Sequence, residues 1–123
     1  MEKKYWVVGA TWEDDMYGTF IDRGYWEMGY DEKEKPEYAK LRAQITEGDR
    51  IAIKSMLGQG SSDINIRAIG IVREVDGDYG RVYVKWLLRG MRRNVPSKGC
   101  YGTIHGPYLV KNDSDWIGKV FRI

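Results

Sequence analysis

The chain has 123 residues, a formal net charge of +2 at pH 7 and 42% hydrophobic residues. This length predicts one domain over residues 1–123, and the apolar content excludes intrinsic disorder. No apolar stretch approaches the ~20 residues of a membrane-spanning helix, and the run after Lys4 is too short for a signal peptide. One cysteine and one histidine exclude a disulfide framework and a Cys- or His-rich metal site, so we expect a cytoplasmic protein without membrane contact, metal or cofactor.

The first fifty residues predict two strands and one helix. An uninterrupted apolar run predicts a buried strand over 5–10, and 24–27 predicts a short strand. Between them we expect an acidic loop over 11–17 and a helical turn at 19–21. Pro36 favours a helix over 36–45, because proline suits the first helical turn, and Tyr38, Leu41 and Ile45 share one face.

The second half predicts mainly strands. We expect strands over 51–54 and 67–75 with a Gly- and Ser-rich loop over 56–65 between them. The Asp76-Gly77 pair favours a hairpin turn over 76–80, and the alternation over 81–87 predicts the returning strand. We expect a loop through Pro96, a turn-rich connection over 102–108 and a last short strand or helix over 116–123. Five or six strands with one clear helix predict an α+β fold, built around a strongly curved sheet or small barrel.

The charges are distributed unevenly. Residues 1–50 carry 8 basic and 12 acidic side chains, whereas residues 51–123 carry 12 basic and 6 acidic ones. The stretch 81–111 is basic only, and two interpretations stand: a solvated surface, or a stripe that contacts phosphates. The high aromatic content favours the second, because bases stack on aromatic rings.

Catalytic patterns are weak in this sequence. Cys100 and His105 are close in sequence, but no oxyanion motif accompanies them, so a packing cysteine and a hydrogen-bonded histidine are the favoured interpretation over a nucleophile and its base. The adjacent Glu13, Asp14 and Asp15 indicate a solvated loop that offers a ligand hydrogen bond. The Gly-rich segment 58–62 lacks a phosphate-loop pattern. We therefore expect a binding protein and not an enzyme.

Aromatic residues in loops are the more informative feature. Trp12 and Trp26 follow the two N-terminal apolar segments, beside acidic residues, and Tyr79 lies at the predicted hairpin tip. Two interpretations stand here as well: the tryptophans cap the core, or the rings hold an extruded base that hydrogen bonds read on its edge.

Several ordered motifs resemble one family. Residues 5–12 (YWVVGATW), 20–30 (FIDRGYWEMGY) and 48–55 (GDRIAIKS) resemble the N-terminal domains of McrB-type modification-dependent restriction ATPases, which are similar to the EVE/YTH group of the PUA-like superfold. The strand 68–72 (AIGIV) and the segment 80–86 (GRVYVKW) with Asn94-Val95-Pro96 extend the resemblance. It covers about three quarters of the chain.

The resemblance implies a curved or barrel-like sheet flanked by helices, and a reader that binds a modified base flipped into an aromatic cage. It implies base-pocket roles for Trp12, Asp14 or Asp15, Trp26, Ser55 and Tyr79. The family's "KSEP" or "KS" motif after the first strand is replaced here by Gly9-Ala10, which leaves N6-methyladenine and the 5-modified cytosines open as ligands.

We therefore expect a nucleic-acid partner, with DNA favoured over RNA, and an ATPase or nuclease on a fused segment or partner. An RNA-binding PUA-like module is the alternative. Six basic residues are expected to hold phosphates: Arg81, Lys85, Arg89, Arg92, Arg93 and Lys98.

Overall fold

The computed structural model describes residues 2–30, 33–58, 60–77 and 80–122. Within these ranges the chain forms seven strands and three helices. The strands are β1 (Tyr5–Gly9), β2 (Tyr25–Glu27), β3 (Arg50–Met56), β4 (Asp63–Asp76), β5 (Arg81–Leu88), β6 (Arg93–Pro96) and β7 (Ile104–Tyr108). The helices are α1 (Tyr17–Arg23), α2 (Pro36–Arg42) and α3 (Val110–Phe121).

The strands join into one strongly curled sheet with the order β2-β5-β4-β3-β1-β7, while β6 pairs with β4 outside this path. The β1–β3 pair is parallel and the other pairs are antiparallel. The fold class is therefore α+β, as predicted, with a half-barrel sheet and helices against it.

Strand β4 produces much of the curl. Its first residues pair with β6 and β3, and its last residues pair with β5. The register shifts between Ile53 and Lys54 on the β3 side and at two places on the β5 side, and such bulges bend a strand. Gly70 permits the close approach of β5, because a Cβ there would lie 2.4 Å from Cγ1 of Val84.

Apolar side chains cover both faces of the sheet. One face packs against α1 and α2 around Trp6, Phe20 and Trp26, and the other packs against α3 around Val7 and Trp116. Trp6, Val7 and Val8 of β1 therefore point alternately into the two clusters, and all three are buried. This explains why the segment is apolar without alternation.

The predicted helix begins at Pro36 but ends at Arg42 and not at residue 45, and the predicted strands over 24–27, 51–54 and 81–87 are confirmed. The strand predicted over 67–75 is also present, but it begins at Asp63, within the predicted loop. The last element is α3, one of the two predicted alternatives. The interpretation of 93–96 and 104–108 as loop was wrong, because these segments form β6 and β7. The short turn at 19–21 extends to the whole of α1.

None of the helices in the described ranges is long and apolar enough to cross a bilayer.

Candidate nucleic-acid interface

The loop over residues 10–16, here called the Trp12 loop, connects β1 to α1 and is closed by its own backbone. The Met16 N–H donates to the Ala10 carbonyl at 2.7 Å, and Thr11 and Asp15 form an isolated antiparallel bridge. Within the turn the Trp12 N–H donates to the Asp14 carbonyl at 3.2 Å. The closed turn carries the Trp12 side chain away from the end of β1.

Three other segments hold the Trp12 ring. Its indole N–H donates to Oγ1 of Thr103 at 3.3 Å, and Phe20 meets it edge to face with 6.1 Å between ring centroids. The ring also lies on Gly29, where a Cβ would stand 2.2 Å from Cδ2 of the indole. Any side chain at position 29 would displace Trp12, so the glycine is part of how this ring is positioned.

Two clefts meet at Trp12, and both are in the size range of small-molecule sites. The first, here called the acidic cleft, has a volume of about 740 Å³ and carries four carboxylates. It is lined by Thr11, Trp12, Glu13, Asp14, Met16, Phe20, Glu27, Met28, Gly29, Tyr30 and Glu34. The second, here called the lysine cleft, has a volume of about 530 Å³. It is lined by Gly9, Ala10, Thr11, Trp12, Tyr30, Tyr38, Lys54, Ser55, Met56, Tyr101, Gly102 and Thr103.

A buried charge lies in the lysine cleft. Lys54, near the end of β3, is only 6% exposed, and its Nζ donates to the Met56 sulfur at 3.6 Å. Burial lowers the pKa of the Lys54 ammonium, an effect that the nearby Cys100 partly opposes. The register partner of Lys54 is Gly9, and the lysine side chain passes it at van der Waals distance.

Three of the six predicted base-pocket residues gather around these clefts. Trp12 borders both, Asp14 lines the acidic cleft, and Ser55 lines the lysine cleft. The sequence left the register between Asp14 and Asp15 open, and the structure separates them. Asp15 turns away, accepts from the Tyr17 N–H at 3.1 Å and pairs with Arg67 at 3.5 Å.

Trp26 lies elsewhere than the resemblance implied. Its side chain is fully buried in the core, and its indole N–H donates to the Gly9 carbonyl at 2.8 Å. Trp26 lines neither cleft, and its hydrogen bond to Gly9 supports the end of β1 from the core. Tyr79 lies outside the described residues.

The six predicted phosphate contacts differ in the partners that the protein gives them. Arg81 pairs with Glu27 at 3.0 Å, and this hydrogen bond raises the pKa of the guanidinium. Lys98 pairs with Asp113 at 2.9 Å, and Arg93 donates to the Val120 carbonyl at 2.9 Å. These three contact groups of the protein, although Lys98 is exposed as well; the other three are also exposed: Lys85, Arg89 and Arg92.

A third depression, here called the basic groove, holds Arg92 beside Arg67, which the sequence analysis did not single out. Its volume is about 620 Å³, and it is lined by Tyr17, Leu57, Asn65, Arg67, Gly90, Met91, Arg92 and Asn94. The Arg67 guanidinium stacks on the Tyr17 ring at 3.8 Å. The Asp15–Arg67 pair joins this groove to the Trp12 loop.

Three other cleft residues were missed: Lys54, Tyr30 and Tyr38. The available signal for Lys54 was a lysine at the end of the apolar run 51–53, where a lysine in a buried strand requires an explanation. For Tyr30 and Tyr38 the sequence offered only their number and neighbourhood. Their rings lie 6.1 Å apart, with the Lys35 ammonium 5.5 Å from the Tyr30 ring.

Cys100 and His105 have the structural roles that the sequence favoured. Cys100 is fully buried, its sulfur lies 3.3 Å from the Tyr108 hydroxyl, and burial raises the pKa of its thiol. His105 Nε2 accepts from the Gly102 N–H at 2.9 Å, so this nitrogen is already occupied. Among the described residues no group of three His, Cys, Asp or Glu side chains is placed to hold a metal ion.

Neither a protein-family model nor a curated protein matches this sequence.

Proposed function

We propose that this chain is a non-catalytic reader of modified DNA, which binds N6-methyladenine or a 5-modified cytosine flipped out of the duplex beside Trp12. Its fold would then be of the PUA-like, EVE/YTH type. In the cytoplasm it would serve as the recognition module of a modification-dependent restriction system, with the ATPase or nuclease on a fused segment or partner. The observation that carries the proposal is the meeting of two clefts at Trp12, where aromatic rings adjoin buried and exposed polar groups.

Base flipping needs stacking partners and edge contacts in the same place. Extrusion costs a few kcal/mol, and each aromatic stacking contact returns about 1–3 kcal/mol. Trp12 and Tyr30 border both clefts and supply the rings, while Asp14 and Ser55 supply edge contacts. The residues that would stack on the base and those that would hydrogen-bond its edge therefore lie around one loop.

The charges around the Trp12 loop suit the flipped base and the phosphate backbone at different places. The carboxylates of the acidic cleft repel phosphates but accept hydrogen bonds from the amino group of an uncharged base. The basic groove adjoins the Trp12 loop through the Asp15–Arg67 pair, and its exposed Arg92 suits the phosphates. Such contacts position the duplex without reading its sequence.

The test is a fluorescence-anisotropy titration of the full chain and of Trp12→Ala with short duplexes of one sequence, at two salt concentrations. The duplexes are unmodified or carry N6-methyladenine, 5-methylcytosine or 5-hydroxymethylcytosine at one central position. We expect the wild type to prefer one modification, and Trp12→Ala to lose about 1–3 kcal/mol of that preference while retaining salt-dependent binding.

Two controls accompany the titration. Trp12→Phe keeps an aromatic face and should preserve most of the preference, and Val110→Ala alters a remote, 51% exposed apolar side chain and should change nothing. Equal and steeply salt-dependent binding of all duplexes would reduce the claim to a basic surface. Stronger binding to a 2′-hydroxyl oligonucleotide of the same sequence would favour the RNA-binding alternative, and no binding at low salt would overturn the proposal.

A further inference from the structure

Helix α3 covers only part of its face of the sheet. Register partners in neighbouring strands share a face, and one such row crosses five strands. From β7 to β5 the row consists of Tyr108, Tyr5, Arg50, Ile71 and Lys85. The two tyrosines pack against the cluster under α3, whereas Ile71 is only half-buried and Lys85 is exposed. The β4 and β5 end of this row therefore lies beyond the helix.

A groove opens where α3 stops covering the sheet. This groove, here called the α3 groove, has a volume of about 420 Å³, which is within the size range of ligand sites. It is lined by Tyr5, Arg50, Ile69, Ile117, Gly118, Phe121 and Arg122. Tyr5 meets Phe121 edge to face, with 5.0 Å between ring centroids. Because Ile69, Ile117 and Phe121 belong to the core, the floor of the groove is apolar and preformed.

The charged residues that line the α3 groove are both cations, Arg50 and Arg122. Asp49, the carboxylate next to Arg50 in sequence, is bound by the Trp6 indole in the other cluster. The ion pairs among the described residues use other basic side chains: Lys4, Arg67, Arg81, Lys98, Lys111 and Lys119. The described part of the chain therefore supplies no ion-pair partner for either cation of the groove.

Gly118 is a second and independent feature of the α3 groove. It lies inside α3, is exposed, and has open space around it, since a Cβ there would meet nothing within 4 Å. Glycine inside a helix destabilises it relative to alanine, and the packing of this chain does not require the glycine. A position without a side chain at the rim of a groove does allow another polypeptide backbone to come close.

These features suit an acidic polypeptide segment better than a nucleic acid. Carboxylates form paired hydrogen bonds with guanidinium groups, as phosphates do. A phosphodiester backbone, however, has no large apolar group for a floor made of isoleucine and phenylalanine side chains. A segment that combines carboxylates with a leucine or phenylalanine satisfies both the rim and the floor.

We infer that the α3 groove docks a protein partner through an acidic segment that carries a large apolar side chain. The apolar side chain lies on Ile69 and Ile117, and the carboxylates pair with Arg50 and Arg122. The groove borders the start of β1, about 13 Å along the strand from its end at the Trp12 clefts. Both surfaces can therefore be occupied at once, and the docking does not depend on the proposed function.

The test is a titration of the full, nitrogen-15-labelled chain with the acetylated and amidated peptide Glu-Glu-Leu-Phe-Glu-Glu, followed by amide spectra. Two control peptides replace either the apolar pair by serine or the glutamates by lysine. We expect the acidic peptide to shift the resonances of Ile69, Ile117 and Gly118 and to leave Trp12 unchanged. Both control peptides should bind at least about tenfold more weakly.

Matched variants assign the peptide to the groove. Gly118→Leu fills the open space at the rim and should weaken binding by about tenfold or more. Gly18→Leu changes another exposed helical glycine with open space around it, in α1, and should bind like the wild type. Arg122→Glu should weaken binding about fivefold, whereas Lys111→Glu makes the same charge change at the other end of α3 and should have no effect. Melting curves verify that each variant is folded.

Three outcomes would overturn the inference. They are the absence of shifts at about 1 mM acidic peptide, full binding by Gly118→Leu, and equal binding of the lysine peptide. If sodium laurate or an unmodified DNA duplex shifts the groove resonances and the acidic peptide does not, the groove belongs to an amphiphile or a nucleic acid instead. The duplex titrations of the proposed function are separate measurements, so either proposal can fail without the other.

Discussion

The two ends of the parallel β1–β3 pair each contain a buried charge, and the two charges differ in their hydrogen-bond and ion-pair partners. At the end where both strands begin, Asp49 is 3% exposed and accepts from the Trp6 indole at 3.0 Å and the Thr46 N–H at 3.0 Å. The Lys4 N–H donates to it at 3.3 Å, and the Lys4 ammonium lies 3.6 Å away. At the end where both strands finish, the acceptor that the structure gives the Lys54 ammonium is the thioether sulfur of Met56, at 3.6 Å.

The difference teaches how to distinguish a structural charge from a functional one. Asp49 faces donors from two segments, the one around the start of β1 with Lys4 and Trp6 and the preceding turn with Thr46, and therefore ties β1 to the turn that leads into β3. Lys54 borders a cleft and has no equivalent acceptor within residues 2–30, 33–58, 60–77 and 80–122, so these residues do not explain its position by the stability of the fold. We interpret the Asp49 end as scaffold and the Lys54 end as binding site.

The largest expected effect concerns Trp26, which lies beneath the binding end. Trp26→Ala removes a fully buried indole and its hydrogen bond to Gly9, and should lower the free energy of unfolding by about 3–5 kcal/mol. Urea denaturation followed by circular dichroism measures this loss. A change below about 1 kcal/mol would contradict the packing described above and return Trp26 to the list of ligand contacts.

The next effect tests the comparison directly. Asp49→Ala leaves the Trp6 and Thr46 donors without their acceptor, and at about 1–3 kcal/mol per buried unsatisfied group we expect a loss of about 2–4 kcal/mol. Lys54→Met, measured in the same urea titration, should stay within about 1 kcal/mol of the wild type, because a side chain of similar length replaces a buried charge. Equal losses in the two variants would mean that both ends are scaffold.

Much of the fold was predictable from local pattern, and the failures have a physical cause. The strands over 51–54 and 81–87 are apolar or alternating, so burial on a sheet was visible in their sequence. Strands β6 and β7 contain or adjoin Pro96, Gly106 and Pro107, which indicate turns locally. They form because edge and side positions on a sheet tolerate prolines, and that depends on partners far away in the chain.

The candidate site was only half predictable for the same reason. The family resemblance assigned Trp12, Asp14 and Ser55 to one pocket, and the structure places all three around the two clefts. Lys54 lies beside its register partner Gly9 and next to the register shift after Ile53, and this cross-strand setting is not visible in the local sequence. The separation of Asp14 from Asp15 depends on Arg67, which is 52 residues away from Asp15.

The smallest effect is a pH dependence at the binding end, caused by His105. Burial first, and then the charge of Lys54, lower the pKa of this imidazole, and protonating Nε2 would also break its hydrogen bond from Gly102. Because the folded-state pKa lies below the unfolded value, the unfolded chain binds the proton more readily. Stability is therefore lost as the pH falls through about 6.5, the unfolded-state pKa, and the loss stops below the folded-state pKa.

His105→Gln keeps an acceptor near Gly102 but cannot titrate. The wild type should therefore lose more thermal stability than His105→Gln between pH 7 and pH 5, by at most about 1.4 kcal/mol for each pH unit between the two pKa values. Asp113, whose pKa is lowered by its contact with Lys98, contributes only at more acidic pH. An equal change in melting temperature with pH in the two proteins would show that the charge of Lys54 does not affect the protonation of His105. If the wild type loses more stability than His105→Gln between pH 7 and pH 5, and adding Lys54→Met reduces that loss, the charges of Lys54 and His105 repel each other at this end of the β1–β3 pair. The well-paired Asp49 end offers no counterpart to this effect.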